Sequence, residues 1–369
     1  MFSNWFLKSF RILLLPFALI VGFFIWLRNW FYDVNVFKSA SFGLPIICVG
    51  NLSVGGTGKS PMVEYLVLHL KNRFKVATVS RGYKRKTTGY ALATAGTTAL
   101  DIGDEPMLFY RKFHDVPVAV GEERLVAIPQ LLHDRPDVQA IILDDAFQHR
   151  AIDAGLNILL TDYGNLFTRD FFLPTGDLRD LKKNYRRAHI IVVSKCNPDL
   201  TEKERKEIIS EIKPLPHQKI FFTTIIYGAP YHITQNRITF INEQTEALLV
   251  TGIANPKPLK KYLEEHIHAY YMMHFGDHHI FTIDELQEIE SRFMNMQAPN
   301  KIILTTEKDA MRLMKFENEI RDLPFFVLPI EHKFLFNQSH EFNSMVIKFI
   351  ENFKRPVVTH GAETSQAYS

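Results

Sequence analysis

The chain of 369 residues lacks the features that mark several classes of protein. It has only two cysteines, Cys48 and Cys196, and both lie in or beside apolar runs. Two such residues provide neither a disulfide framework nor a zinc site, so we interpret them as small buried side chains of a protein in a reducing compartment. The 43 basic and 40 acidic residues leave a net charge of +3, and no RNP, zinc-finger or recognition-helix pattern is present. The sequence therefore indicates no nucleic acid as partner, and no protein partner is inferred from it.

An unbroken apolar run, ILLLPFALIVGFFIWL, covers residues 12–27. Basic residues flank both ends, so the run indicates no orientation across a bilayer, and the bulky WLRNWFYD that follows offers no signal-peptide cleavage site. Trp26, Trp30 and Tyr32 suit the headgroup layer of a membrane. We predict that residues 1–35 form a membrane-associated helix that dips into the cytoplasmic leaflet or spans once. A buried core helix is the alternative.

Strand-like and helix-like segments alternate from Pro45 onward. Short runs rich in Ile and Val, such as PIICVG, AIILDD and AHIIVVSK, are typical of buried parallel strands. We therefore predict an α/β chain with a parallel sheet and helices on both faces over residues 36–228. A linker or hairpin is expected over 229–245, a second, smaller α/β domain over 246–354, and a disordered tail over 355–369.

A glycine-rich loop, SVGGTGKS, lies between a strand-like and a helix-like segment. It matches the P-loop pattern G-x-x-x-x-G-K-[ST] except that Ser53 stands at the first glycine position. In such a loop the backbone N–H groups and the lysine contact phosphates, and the final hydroxyl ligates Mg²⁺. The pattern predicts a P-loop NTPase-like fold, with a structural glycine turn as the alternative. The predicted nucleotide-binding residues are Ser53, Val54, Gly55, Gly56, Thr57, Gly58, Lys59 and Ser60.

Two adjacent carboxylates, Asp144 and Asp145, end the strand-like run in AIILDDAFQHR. This is the Walker-B arrangement, in which a carboxylate contacts Mg²⁺ directly or through water. We predict that both aspartates, together with Ser60, form the metal site; which aspartate touches the metal stays open, and a solvated turn is the alternative. The guanine-binding pattern Asn-Lys-x-Asp is replaced by SKCN at residues 194–197, which has no carboxylate, so ATP is the predicted nucleotide.

Three further segments carry charged or titratable groups. GDEPMLF places Asp104 and Glu105 at the start of a helix-like stretch, where acidic residues also stabilise a helix N-terminus. SRGYKRK, residues 80–86, is a basic loop that either binds an anionic substrate or is simply solvated. FGDHHIFT contains His278 and His279 without a third ligand at metal spacing, so zinc is rejected.

Together these strings resemble the tetraacyldisaccharide 4'-kinase family, the lipid A kinases of Gram-negative bacteria. The matching strings run through nearly the whole chain and include LRNWFYD, VGNLSVGGTGKSP, SRGYKRK, GDEPML, LDDAFQHR, LPTGDLRD, GIANP, FGDHHIFT and TTEKDAMRL. The resemblance implies ATP-dependent phosphorylation of the 4'-hydroxyl of an acylated disaccharide 1-phosphate lipid. It also implies that the chain acts in contact with membrane lipid, at the cytoplasmic face of the inner membrane.

The resemblance further implies roles for individual residues. Asp104 corresponds to the catalytic base and His278 to the histidine paired with it. Arg179 corresponds to a residue of the nucleotide site, and Asp180 stands where the family tends to have glutamate. The family's phosphate and metal residues match Lys59, Ser60, Asp144 and Asp145.

Two functions of other classes stay open from the residues alone. One is a membrane-bound P-loop ATPase that switches a partner protein, and the other is a soluble kinase of small metabolites, which the apolar N-terminus disfavours. A base in one domain and a histidine in the other are expected to meet only when the domains close, which limits wasteful hydrolysis of ATP.

Overall fold

The computed structural model describes residues 11–354 except Asn236. The first ten residues of the predicted N-terminal helix and the predicted tail, residues 355–369, lie outside the described residues. Short 3-10 helices cover Ile12–Leu14, Lys182–Arg187 and Met314–Phe316. The α-helices are α1 (Leu15–Asp33), α2 (Lys59–Leu70), α3 (Ala99–Ile102), α4 (Asp104–Lys112), α5 (Arg124–Asp134), α6 (Glu202–Ile212), α7 (Lys257–His266), α8 (Ile283–Met294), α9 (Glu307–Leu313), α10 (Glu317–Ile320) and α11 (Ser339–Glu351).

The strands form two sheets, which we call the large sheet and the small sheet. The strands are β1 (Ile46–Asn51), β2 (Val76–Ser80), β3 (Ala91–Leu92), β4 (Val118–Val120), β5 (Ala140–Asp144), β6 (Leu156–Asp162), β7 (Ile190–Ser194), β8 (Lys219–Tyr227), β9 (Tyr231–His232), β10 (Glu246–Thr251), β11 (Ala269–His274), β12 (Lys301–Thr306), β13 (Phe325–Leu328) and β14 (Ile330–Phe334). The large sheet has the order β14-β8-β7-β6-β1-β5-β2-β4-β3, and the small sheet has the order β11-β10-β12-β13-β9.

The large sheet is mostly parallel and is covered on both faces. Only its edge pairs, β14 with β8 and β3 with β4, are antiparallel. Alternate residues of β1 enter two different apolar clusters: Ile46 and Cys48 pack with residues of α5 and α6, whereas Ile47 and Val49 pack with residues of α2 and α11. A strand buried on both faces reads as a continuous apolar run, which is why PIICVG shows no polar alternation.

The small sheet also lies between helices. Leu286 of α8 and Phe325 of β13 belong to one apolar cluster, and Leu263 of α7 belongs to the cluster on the opposite face. The first of these clusters also contains Met107 and Leu108 of α4. Helix α4 therefore joins the apolar cores of the two sheets, and it begins at Asp104.

The end of the chain differs from the predicted domain boundary. Strand β13 ends in the small sheet at Leu328, and after Pro329 the chain enters β14 of the large sheet. Helix α11 then packs on the large sheet through Phe342. Residues 330–354, which we predicted to belong to the second domain, therefore lie on the first. A single proline separates the two strands, so the sequence reads as one continuous strand-like segment.

Helix α1 stands apart from these cores. With the preceding turn it forms an apolar segment, Ile12–Asp33, that is long and hydrophobic enough to cross a membrane, and only 11% of its most apolar window is buried. The expected alternative of a buried core helix is therefore not observed. The exposed apolar helix, the mostly parallel sheet with helices on both faces and the smaller second sheet confirm the predicted fold class.

Candidate active site

The predicted P-loop connects β1 to α2. Gly58 precedes the first residue of α2, and both Gly58 (φ +83°) and Gly55 (φ +100°) adopt left-handed backbone conformations that favour glycine. Ser53, in contrast, forms a β-bridge with Leu178 and is not among the residues with positive φ. The first position of the loop therefore has a backbone conformation that a serine adopts without strain.

Three side chains hold the loop in this conformation. Asn51 Nδ2 donates to Thr57 Oγ1 (2.9 Å), and Ser194 Oγ donates to the Thr57 carbonyl (2.8 Å). His332 of β14 lies 2.8 Å from the Gly58 carbonyl through Nε2. Burial lowers the pKa of His332 to about 4, so the ring is neutral at pH 7 and Nε2 carries the proton that it donates. The returning strand β14 therefore supports the loop directly.

The two adjacent aspartates have different environments. Asp144 ends β5 and is buried; burial, and then the charge of Asp145, raise its pKa to about 7. Its Oδ1 has no hydrogen-bond partner in the part of the chain that the structure describes. Burial also disfavours the charged form of Asp145, but Lys59 and Arg179 outweigh it and hold the pKa of Asp145 below its ordinary value. A buried carboxylate oxygen without a partner is the feature expected of a cation ligand.

Arg179 lies at this site, whereas its neighbour Asp180 does not. Arg179 Nη1 donates to Asp145 Oδ2 (3.0 Å), and Nη2 donates to Asn51 Oδ1 (2.7 Å). Lys59 Nζ lies 3.6 Å from Asp145 Oδ1. Asp180 is buried elsewhere and accepts a hydrogen bond from Asn29 of α1 (3.1 Å). Asp180 thus attaches the N-terminal helix to the core, a contact that the sequence did not suggest.

Asp104 and His278 come together from the two sheets. His278 Nδ1 lies 3.5 Å from Asp104 Oδ2, and Arg312 of α9 contacts both. Arg312 Nη2 is 2.6 Å from Asp104 Oδ2 and 3.0 Å from His278 Nδ1, and Nε is 2.8 Å from the same aspartate oxygen. The pairing of Asp104 with His278 is therefore made through a guanidinium that sequence reasoning missed. His279 lies apart and bonds Glu285 at the start of α8 through Nε2 (2.9 Å).

The relation to known proteins rests on nearly the whole chain. A family model described as tetraacyldisaccharide-1-P 4'-kinase matches residues 10–351. The chain belongs to this family. A tetraacyldisaccharide 4'-kinase from Flavobacterium johnsoniae is 42% identical over 347 residues, which cover 94% of this chain and 99% of that protein. A protein of the same name from Porphyromonas gingivalis is 39% identical over 92% of this chain and 97% of its own length.

A solved structure has the same fold. LpxK from Aquifex aeolicus, crystallised as the "apo" form in complex with ATP, is 27% identical to this chain. The two structures match with a TM-score of 0.73 over 92% of this chain and 99% of the other. The resemblance to the tetraacyldisaccharide 4'-kinase family that we inferred from the sequence is confirmed.

Helix α9 supplies a second cation to the site. Lys308 Nζ donates to Glu105 Oε1 (2.5 Å), one residue after Asp104. Lys308 and Arg312 are four residues apart, so they lie on one face of α9. That spacing is visible in TTEKDAMRL and was the one available sign of a cationic helix face.

A cluster of arginines lies around His149, beside α1. Burial, and then the charges of Arg124, Arg28 and Arg81, lower the pKa of His149 to about 4. Arg124 is itself buried, and its Nε has no hydrogen-bond partner among the described residues. Arg81 belongs to the basic loop SRGYKRK, for which binding of an anionic substrate was one of the two expectations. We call these three arginines the arginine cluster.

Proposed function

We propose that this kinase uses ATP and Mg²⁺ to phosphorylate the 4'-hydroxyl of an acylated disaccharide 1-phosphate, the lipid A precursor. The observation that carries the proposal is that Asp144, at the end of β5, has a buried oxygen without a partner among the described residues, while Lys308 and Arg312 of α9 bind Glu105 and Asp104. Burial alone lowers the pKa of Lys308, but Glu105, Asp144 and Asp104 outweigh burial and raise it above its ordinary value. The effect of both aspartates on Lys308 supports a single site that contains the proposed base and the proposed metal carboxylate.

The P-loop is the proposed binding site for ATP. In a P-loop the backbone N–H groups and the N-terminus of the following helix, here α2, stabilise negative phosphates. Lys59, the first residue of α2, supplies a charge for the β- and γ-phosphates. The name of the Aquifex aeolicus structure, which includes ATP, supports this choice of nucleotide.

The residues at the end of β5 fit a magnesium ion. Asp144 offers a buried oxygen without a partner in the described part of the chain, and Ser60 offers a hydroxyl in the first turn of α2. Asp145 is already paired with Lys59 and Arg179, so we assign the metal contact to Asp144 in preference to Asp145. When bound, Mg²⁺ neutralises negative charge on the phosphates.

Asp104 is the proposed base. Arg312 contacts only its Oδ2, and no donor from the described residues contacts Oδ1. The proton of the acceptor hydroxyl passes to Oδ1 while the acceptor oxygen bonds the γ-phosphorus. The bond between that phosphorus and the bridging oxygen breaks, and ADP leaves. Positioning and charge neutralisation supply most of the rate in such a transfer.

The arginine cluster and α1 support an anionic lipid as the acceptor. Arg124 is buried, and its Nε has no hydrogen-bond partner among the described residues, whereas Arg28 and Arg81 are exposed. A phosphate monoester can accept two parallel N–H donors from a guanidinium, so these side chains suit an anion. Arg28, on α1 itself, belongs to the cluster, so the apolar helix lies next to this proposed anion site. We propose that α1 holds the cleft against the cytoplasmic face of the inner membrane, where the acylated disaccharide resides.

A transfer assay tests the function. The kinase is incubated with γ-labelled ATP, Mg²⁺ and the tetraacyldisaccharide 1-phosphate, and label is measured in the chloroform-soluble lipid. We expect label in the lipid and little phosphate release when the lipid is omitted. Release of phosphate without any labelled lipid would instead favour an ATPase that switches a partner.

Asp104→Asn tests the base. Asparagine removes the charged pairing with Arg312, so a purely structural role predicts a lower melting temperature but a near-normal kcat in the folded protein. Because asparagine cannot accept the proton, a catalytic role predicts a fall in kcat of roughly 10²–10⁴-fold. The KM for ATP should change little. A near-normal kcat in the folded fraction of Asp104→Asn would mean that the base lies elsewhere.

A further inference from the structure

Arg312 connects the small sheet to the proposed base. Its side chain is only 7% exposed, and its three nitrogens reach three partners on three elements. Nε and Nη2 donate to Asp104 of α4, Nη2 also contacts His278 after β11, and Nη1 donates to Asp309 Oδ1 on its own helix (3.1 Å). A guanidinium bound on every side in this way has one available orientation.

Asp309 fixes the other end of this connection. Its Oδ2 accepts hydrogen bonds from Thr306 Oγ1 (2.8 Å), Thr251 Oγ1 (3.1 Å) and the Gly252 backbone N–H (3.0 Å), and its side chain is fully buried. Gly252 leaves no space for a side chain, because a Cβ there would lie 2.8 Å from the Gly276 carbonyl and 3.2 Å from Asp309 Oδ1. The position of Arg312 is therefore determined by the end of β10.

The contact with His278 determines where the imidazole carries its proton. A guanidinium has N–H donors and no acceptor, so His278 Nδ1 must accept the hydrogen bond from Arg312. The proton of the neutral ring then lies on Nε2, and Nδ1 cannot donate to Asp104. Arg312, and not His278, thus makes the charged hydrogen bonds to Asp104 Oδ2 and leaves Oδ1 available to the acceptor.

We propose that Arg312 is a positioning residue of the phosphoryl transfer, which orients the carboxylate of Asp104 and selects the tautomer of His278. The proposal rests on the proposed function, since it assigns Arg312 a task in that reaction. It means that the small sheet determines the geometry of a base that the large sheet carries.

Arg312→Lys and Arg312→Met test the proposal in the full-length enzyme, with the label-transfer assay and the tetraacyldisaccharide 1-phosphate as acceptor. Lysine keeps the positive charge but cannot donate from two fixed nitrogens to one oxygen and also reach the imidazole. Misplacing a reacting group by about 1 Å lowers the reaction rate roughly 10²-fold. We therefore expect kcat to fall by about that factor in both variants, while the KM for ATP is unchanged. If Arg312→Met does not fold because Asp309 loses its partner, Arg312→Lys alone decides.

The control variant is Arg111→Met. Arg111 of α4 pairs with Glu317 of α10 at 3.8 Å, so its removal also breaks an ion pair between the two sheets, but away from Asp104. We expect a near-normal kcat for this control. An equal loss of kcat in Arg111→Met and Arg312→Lys would mean that Arg312 only stabilises the contact between the two sheets, and would overturn the proposal.

A double variant separates positioning from stability. If Arg312 acts through Asp104, adding Arg312→Lys to Asp104→Asn should lower kcat little further, because the carboxylate to be oriented is already lost. Multiplicative losses would overturn the proposal, as would a normal kcat in folded Arg312→Lys. If the wild-type enzyme labels no lipid, the proposed function fails, and the inference fails with it; if the wild type and Arg312→Lys label it equally, only the inference fails.

Discussion

A buried group of three charges should make the folded protein less stable as the pH rises. Lys112, the last residue of α4, hydrogen-bonds to the Glu64 carboxylate of α2 and forms an ion pair with Glu307 of α9. Both glutamate side chains are almost fully buried. Burial, and then the charge of Glu307, raise the pKa of Glu64 to about 8 despite the opposing effect of Lys112. One cation cannot satisfy two buried carboxylates, so the group favours holding a proton.

The direction and size of the effect follow from this shift. Between pH 4.5, the ordinary pKa of the carboxyl, and about 8, the folded protein keeps a proton on Glu64 that the unfolded chain has released. The free energy of unfolding therefore decreases as the pH rises through this window. At about 1.4 kcal/mol per pH unit, the loss attributable to Glu64 is on the order of 5 kcal/mol.

Glu64→Gln isolates this contribution, because glutamine resembles the protonated acid and does not titrate. We expect the free energy of unfolding of the variant, relative to the wild type, to increase by several kcal/mol between pH 5 and pH 9. Urea titrations followed by far-UV circular dichroism measure this free energy of unfolding. Tryptophan fluorescence would not report on the large sheet, because Trp5, Trp26 and Trp30 all precede it in the chain. Glu207→Gln, at an exposed position of α6, is the matched control for the substitution. If the free energies of unfolding of Glu64→Gln and the wild type differed by the same amount at pH 5 and pH 9, the reasoning would be refuted.

Three further predictions concern the nucleotide site and α1. Lys59→Ala should lower kcat by roughly 10²–10³-fold, because charge stabilisation of the transition state is lost, while circular dichroism shows an intact fold; a near-normal kcat would count against the P-loop assignment. Asp144→Ala should raise the Mg²⁺ concentration needed for half-maximal rate, and an unchanged Mg²⁺ titration would exclude Asp144 as the ligand. Deleting residues 1–25, which keeps Asn29 and its bond to Asp180, should release the protein from membranes in carbonate washes yet leave binding of a fluorescent ATP analogue intact. A truncated protein that stays in the membrane pellet would place the anchor elsewhere.

The parts of the site that could be predicted are those whose chemistry is local. The P-loop is a strand, a glycine loop and a helix in direct succession, so residues 53–60 identify it without any distant contact. Asp144 ends a strand parallel to β1, and the carboxyl ends of parallel strands meet at one edge of the sheet. The sequence order alone therefore predicted that these groups lie together.

The parts that could not be predicted depend on contacts between distant segments. Arg312 is 208 positions from Asp104, and no periodicity in α9 indicates which carboxylate it meets. The return of β14 to the large sheet is equally nonlocal, because a single proline separates it from a strand of the small sheet. His332, which supports the P-loop, is 274 positions from Gly58. Packing of the two sheets brings Arg312 to Asp104, whereas the pairing of β14 with β8 at the edge of the large sheet brings His332 to the P-loop.

The contacts of α9 bear on how the two sheets move. Three of its residues, Glu307, Lys308 and Arg312, pair with Lys112, Glu105 and Asp104, which all belong to α4. Opening between these helices would break three partly buried ion pairs and an apolar cluster, and unpairing even one buried charge costs several kcal/mol. We infer that α4 and α9 move as one body, so the expectation that Asp104 and His278 meet only on closure does not fit this interface. The distance between the proposed base and the P-loop then depends on how α4 packs against α2. Lys112 of α4 and Glu64 of α2 form an ion pair between these two helices. This pair belongs to the buried group of three charges, and Glu64 is the residue whose protonation the pH-dependent unfolding experiment measures.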